Sequence, residues 1–257
     1  ALSKGKNRRT LAIKMCGRYT LVKKPISIGK DLILKIQLSK TPIGSEIAFT
    51  PRYNITPTQD NLVIRNERGT VSASPMRWGL IPSWSKSGST QSLLINARSE
   101  TVADKPCFKA AYQRRRCLVP ADGYYEWKRQ RKGSQPFYFQ LDDESIFFMA
   151  GIWETWHDEA GNSSDSYAIL TTHSNSLAAK VHERMPVMLI DDAAIEWMEG
   201  DPHRWENEQS FEFFAPIESN RMQSRPVNPI VNNNQNDSPE CIEPPPVEAS
   251  TQLDMGF

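Results

Sequence analysis

The 257-residue chain has no CxxC pair, no apolar run long enough to cross a membrane, no glycine-rich phosphate loop and no basic residue after Arg225. Each absence removes a class of function. Four cysteines (Cys16, Cys107, Cys117, Cys241) and four histidines (His157, His173, His182, His203) are dispersed, which argues against a zinc site; no metal or other cofactor is expected. The size and the lack of an export signal argue against a disulfide framework, so Cys107 and Cys117 read as ordinary buried thiols. A spanning helix needs about 20 apolar residues in a row, and none is present. The basic first fourteen residues lack the apolar stretch and small-residue cleavage site of a secretory signal, so cytosolic or nucleoid-associated residence is expected. Without βαβ alternation or a phosphate loop, dinucleotide-binding and P-loop folds are excluded.

Charge is unevenly spread. The 31 Lys and Arg nearly balance the 30 Asp and Glu, yet Asp237, Glu240, Glu243, Glu248 and Asp254 all lie beyond the last base, leaving residues 1–225 with 31 bases against 25 acids. Arg114-Arg115-Arg116 and Lys128-Arg129-Gln130-Arg131-Lys132 concentrate that excess. Such clusters suit phosphate, and equally suit a solvated face.

The apolar pattern predicts many short strands. Leu62–Arg65 and Val71–Trp78 flank Asn66-Glu67-Arg68-Gly69 as a hairpin with a glycine turn. Cys117–Val119, Tyr124–Lys128, Pro136–Leu141, Ile146–Trp153, Tyr167–Thr172 and Pro186–Ile190 read as further strands. Helices are expected at Ile26–Leu38, Arg98–Ala103, Phe108–Arg114, Ser176–Val181 and Asp191–Met198, the last two opened by capping residues. The sum is an α+β fold: a single domain of mostly antiparallel, barrel-like β-sheet with short flanking helices. That domain is expected over 15–246, after a basic extension at 1–14 and before a disordered tail at 247–257. Asn232–Asn236 and Pro244–Pro246 give the end a low-complexity character.

Several segments can carry chemistry. Met15-Cys16-Gly17-Arg18-Tyr19 has the form of a start whose Met is trimmed to expose cysteine, and Met15 is expected to be the natural initiator. An N-terminal cysteine holds an amine, with a pKa near 7.7–8.0, beside a thiol. Amine and thiol together condense with an aldehyde to a five-membered thiazolidine. Alone, Cys16 reads equally as a buried thiol on the first strand. In Asp122-Gly123-Tyr124-Tyr125-Glu126-Trp127 a glutamate among aromatics on a strand suits a partly desolvated acid, or a solvent-facing residue. His182 in His182-Glu183-Arg184-Met185-Pro186 can shuttle protons near neutrality, with Arg184 suited to phosphate; a surface histidine is the alternative. Asn96, in Ile95–Thr101, can orient a nucleophile or sugar at a strand end, and Arg98 at a helix start suits an anion. Arg77-Trp78-Gly79-Leu80-Ile81-Pro82-Ser83-Trp84 sets arginine and tryptophan in a loop fit for stacking unpaired bases, although Trp78 reads more readily as core than Trp84.

Taken with Arg52-Tyr53-Asn54-Ile55-Thr56-Pro57-Thr58-Gln59 and Asn236 to Pro244, these segments resemble the SOS-response-associated peptidase family, whose members cross-link themselves to abasic sites in single-stranded DNA. The resemblance runs from Met15 to about Pro244. It implies Cys16 as nucleophile once Met15 is removed, Glu126 as acid-base group, His182 as an aid to Schiff-base formation and release, and Asn96 as a positioning group. It also implies that Arg18, Arg98 and Arg184 grip the DNA backbone, while Trp84 and Pro57 wedge or stack against bases beside the lesion; the loop at Arg77 joins this DNA-binding set. The expected protein is a monomeric bacterial sensor that captures abasic single-stranded DNA covalently. A cysteine peptidase acting on itself, with DNA incidental, and a non-covalent single-strand binder are the rival expectations. Residues 1–14 would block the amine if retained, and Cys241 stands where the family usually has an aliphatic residue.

Overall fold

The computed structural model describes residues 17–24, 49–67, 69–86, 93–200 and 212–246. Cys16, the Ile26–Leu38 segment, Arg68, and the regions 1–14 and 247–257 lie outside the described residues. In chain order the elements are β1 (Tyr19–Leu21), β2 (Arg52–Ile55), β3 (Asp60–Glu67), β4 (Thr70–Trp78), β5 (Asn96–Arg98), α1 (Lys109–Arg114), β6 (Arg116–Ala121), β7 (Gly123–Arg129), β8 (Ser134–Leu141), β9 (Phe147–His157), β10 (Ser163–His173), β11 (Arg184–Pro186), β12 (Met188–Leu189), α2 (Asp192–Glu199) and β13 (Met222–Pro226).

Five strands close on themselves. β4 pairs with β3, β3 with β6, β6 with β9, β9 with β10, and β10 returns to β4; only that last contact is parallel. The second sheet runs β13-β8-β7-β1-β2, antiparallel throughout. The α+β, mostly antiparallel barrel expected from alternation is the observed architecture. Strand side chains alternate between faces, and the ring sorts them into two cores. Ile64, Leu118, Ala150, Ile152, Ala168 and Leu170 pack with Tyr112 of α1 and Trp197 of α2. The two helices thus cover one face of these strands. Val63, Cys117, Val119, Met149, Tyr167 and Ile169 pack instead with Tyr19, Tyr124 and Phe139 of the second sheet.

An aromatic layer ties the two sheets together. Trp78 is fully buried; Tyr19 meets it edge-on at 5.2 Å and Tyr167 stacks on it at 6.3 Å. Such pairs add about 0.5–1.5 kcal/mol each beyond the area they bury. The Tyr19 and Tyr167 hydroxyls are 2.8 Å apart, and Trp78 Nε1 donates to Ile95 O at 3.0 Å, fixing the approach to β5.

The joint between β6 and β7 explains Asp122-Gly123. Asp122 accepts from Thr20 Oγ1 at 2.5 Å and from the backbone N–H groups of Val22 and Lys23 at 2.5 and 2.7 Å, pinning β1 to the bend. A Cβ on Gly123 would fall 2.1 Å from the Tyr138 ring, so only glycine lets the strand pass.

The hairpin predicted around Gly69 is present, with Glu67 opposite Thr70 and Gly69 at φ 83°. Three expectations need correction. The Arg98–Ala103 helix is absent: Arg98 ends β5 and the chain enters turns, with Thr101 N bonded to Arg98 O. β5 is recruited as a strand by β10, a tertiary pairing that local pattern cannot reveal. The Ser176–Val181 helix shrinks to a 3₁₀ turn at Ala178–Lys180, capped by Asn175, whose Oδ1 accepts from Leu177 N and Ala178 N, and not by Ser176. Asp191, at φ 49°, makes no side-chain cap for α2. The asparagine-rich end folds against β2. Asp237 accepts from Tyr53 N and Asn54 N at 2.5 and 2.9 Å, and Asn54 Nδ2 donates to Asn236 O at 2.6 Å. A low-complexity composition here encodes a clasp over β2.

Candidate active site

β7 carries the candidate acid. Along Gly123–Arg129, Tyr124 and Glu126 share one face and Tyr125 and Trp127 the other. Tyr124 belongs to the inter-sheet core, whereas Tyr125 packs with Val227, Val231 and Cys241. Glu126 therefore points into the inter-sheet core, where it is 4% exposed, beside Phe137 on β8. β1 runs antiparallel to β7 with Tyr19 opposite Tyr124, and Tyr125 N donates to Arg18 O at 3.0 Å. Continued by two residues, that register sets buried Gly17 against Glu126.

Two further groups border the same core. β5 pairs in parallel with β10, Asn96 opposite Ile169, so Asn96 takes the inter-sheet face that Ile169 occupies. His182 follows the 3₁₀ turn, its N–H bonded to Ala178 O at 3.0 Å and its carbonyl accepting from Ser174 Oγ at 2.7 Å. Its Nδ1 accepts from Arg184 N at 3.0 Å, which in the neutral ring leaves the proton on Nε2. Ala178, Val181 and Met185 around it belong to the inter-sheet core. A buried carboxyl, an amide and an imidazole held by its own turn thus each border the inter-sheet core. Among the described residues, no three His, Cys, Asp or Glu side chains are placed to hold a metal, and no helix is long and apolar enough to cross a membrane.

Comparison with known proteins decides the family. The model of the SOS response associated peptidase family matches residues 15–234, most of the chain. The chain belongs to this family. It is 36% identical over 231 residues to the abasic site processing protein YoqW of Bacillus subtilis, covering 89% of this chain and 99% of that one. It is 30% identical over 236 residues to the abasic site processing protein YedK of Escherichia coli, covering 90% of this chain and 100% of the other. An X-ray structure of a Bacteroides thetaiotaomicron protein shares the fold with a TM-score of 0.71 at 23% identity, over 89% of this chain and 99% of that one.

In this member of the family, the arginines singled out in the sequence have different surroundings. Arg18 is 7% exposed. Its guanidinium donates to Val231 O, to Asn232 O at 3.0 Å and to Asn54 Oδ1 at 3.2 Å, and lies 5.5 Å over the Trp127 ring. Arg184 is gripped by both oxygens of Glu100, by Thr171 O at 2.6 Å and by Thr171 Oγ1 at 3.3 Å. Burial would raise the Glu100 carboxyl, but hydrogen bonds from Arg184 and the nearby positive charges hold it below the usual range. Arg98, opposite Thr171 on β10, is exposed and makes no ion pair among the described residues. Arg77 is half-buried on β4 between Asp60 and Ser166, inside the strand expected at Val71–Trp78 and before the loop that carries Trp84.

Trp78 is core, whereas Trp84 is 66% exposed. Its loop is tethered by Trp156 Nε1, which donates to Ser85 O at 2.6 Å. Pro57 leads a tight turn in which Thr58 sits at φ 76° and donates its N–H to Trp78 O at 2.8 Å. Type II turns need positive φ at this position, a role glycine fills without strain. Pro57 is thereby held in place by the end of β4. Sequence reasoning missed Glu100, Asn54 and Asp237, the groups that hold Arg184 and the clasp. All three lay inside the resembling segments, but nothing local marked them as partners of residues up to 185 positions away.

Proposed function

We propose that this chain captures abasic sites in single-stranded DNA by a covalent bond to Cys16, with Met15 and everything before it removed. The observation that carries the reading is Glu126: a carboxyl 4% exposed, held on rigid sheet across from Gly17, one peptide bond after the cysteine. The relatives named abasic site processing proteins and a family match that begins at Met15 support it.

The chemistry balances without a cofactor. Glu126 gives a proton to the ring oxygen of the closed sugar while the anomeric hydroxyl loses one, and the aldehyde opens. The Cys16 amine adds to the carbonyl carbon. His182, through Nε2, assists transfer of the protons that let water leave as the imine forms. The thiol sulfur then adds to the imine carbon, its proton passes to nitrogen, and a thiazolidine closes with one water lost overall. Asn96 positions the sugar, and Trp84 and Pro57 support the bases beside it.

Mixing the protein, freed to begin at Cys16, with a uracil-containing oligonucleotide before and after uracil removal tests the reading on a denaturing gel. A shifted band is expected only after removal, lost in Cys16→Ala and strongly slowed in Glu126→Gln. A shift of equal yield in Cys16→Ala overturns the ring mechanism.

The family description, a peptidase, favours one second reading: cleavage of the chain before Cys16 by its own site. Mass spectrometry of a chain purified with its leader decides it, since self-cleavage must disappear in Glu126→Gln or Cys16→Ala while an added aminopeptidase stays active.

A further inference from the structure

The strand that carries Glu126 does not stop at the site. Among the described residues, β7 and β8 continue past their neighbouring strands as a hairpin. The last pairing of β13 with β8 is at Phe137 and the described contact of the β1 side with β7 is at Tyr125. Beyond Trp127 and Pro136 neither strand has a neighbouring strand among the described residues. The projecting part closes through a turn in which Gln130 N bonds to Gly133 O at 3.2 Å with Gly133 at φ 77°. It holds Lys128, Arg129, Arg131 and Lys132, all exposed.

Among the described residues these four charges meet no acidic partner. Lys128 stands opposite Gln135 and Arg129 opposite Ser134, and none of the four makes an ion pair among the described residues. Packing four cations on one turn costs self-repulsion, which a polyanion relieves. The base of the hairpin is meanwhile fixed: Trp127 Nε1 donates to Asn232 Oδ1 at 2.7 Å and the Arg18 guanidinium covers its ring. At about 3.3 Å per residue, the turn lies about 13 Å beyond Glu126 along the strand. That is a reach of about four nucleotides at the ~3.4 Å phosphate spacing of a stacked strand.

We propose that the β7–β8 hairpin tip is a phosphate-binding extension of the site, gripping the DNA backbone on one flank of the lesion a few nucleotides from the reacting sugar. The proposal rests on the reading of the site as DNA-binding. It adds a surface that the candidate site residues do not include.

The test uses the full chain and its K128Q/R129Q/R131Q/K132Q variant, with thermal melting as a check that these exposed changes leave the fold intact. The probe is a single-stranded oligonucleotide carrying a tetrahydrofuran abasic analogue, which has no aldehyde, so binding is read without capture. At ~0.7 per phosphate on single strands, four lost contacts flatten the slope of log affinity against log salt by nearly 3. The parent's affinity then falls about 50-fold more than the variant's between 50 and 200 mM salt. A flattening of one unit or more is expected, and it should vanish when one flank is cut to a single nucleotide and persist when the other is cut. A smaller change, or equal dependence on the two flanks, overturns the proposal. If the parent fails to cross-link a true abasic oligonucleotide, the reading of the site falls, while the analogue titration still decides the hairpin.

Discussion

Arg18 and Arg184 differ from Arg98 and the β7–β8 hairpin cations in what already holds them. The resemblance gives Arg18, Arg98 and Arg184 one common task, yet their surroundings divide them. Arg18 is spent on carbonyls of the C-terminal clasp and Arg184 on Glu100 and Thr171, whereas Arg98 and the hairpin tip face solvent with no partner of opposite charge among the described residues. A guanidinium whose donors are taken by buried acceptors cannot serve phosphate without abandoning them, at a cost of about 1–3 kcal/mol per group left unsatisfied. We propose that the two clamped arginines act as positioning residues. Arg18 locks the chain next to Cys16 to residues more than 200 positions away, and Arg184 holds the backbone that orients the His182 ring.

The division can be broken by mutation. Arg18→Ala should cost the most, roughly 3 kcal/mol in denaturant unfolding, because Val231 O and Asn232 O lose charge-assisted donors in a buried place. Its capture rate should fall even at saturating DNA, whereas a phosphate contact would affect only affinity. Arg184→Ala should cost less, about 1–2 kcal/mol at pH 7, since Glu100 is partly exposed and screening trims the pair. The sign with pH follows from Glu100. Its folded pKa lies below the unfolded value near 4.3, so the clamp contributes fully above about pH 4.3 and is lost as pH falls through the lower folded value. The gap between parent and Glu100→Gln melting curves should accordingly close in acid. Arg98→Ala should have the smallest effect on stability, within about 0.5 kcal/mol, while reducing the salt slope of single-strand binding by about 0.7. A large stability loss at Arg98, or none at Arg18, would erase the distinction.

The sheet was largely legible because it depends on alternation. The runs at Val71–Trp78, Tyr124–Lys128 and Tyr167–Thr172 lie inside the observed β4, β7 and β10. Glu126 and His182 stood out in the sequence as candidates because their residue types and aromatic or apolar settings mark them locally. What stayed hidden is non-local. β5 becomes a strand only because β10 offers an edge, and a propensity argument turned Arg98–Ala103 into a helix. The asparagine-rich end has a low-complexity composition that names no partner, yet its carbonyls are the acceptors that Arg18 and Asn54 require. Ser176 and Asn175 carry equally good cap signals, and it is Asn175 whose Oδ1 accepts from Leu177 N and Ala178 N.

The most direct test of the central claim is peptide mass spectrometry of the cross-linked product after nuclease and trypsin digestion, with no reducing agent added. The tripeptide Cys16-Gly17-Arg18 should carry the abasic sugar as a heat-stable adduct with one water lost. An adduct on a lysine, one that survives only after borohydride reduction, or one in which Cys16 still bears the preceding peptide would contradict it.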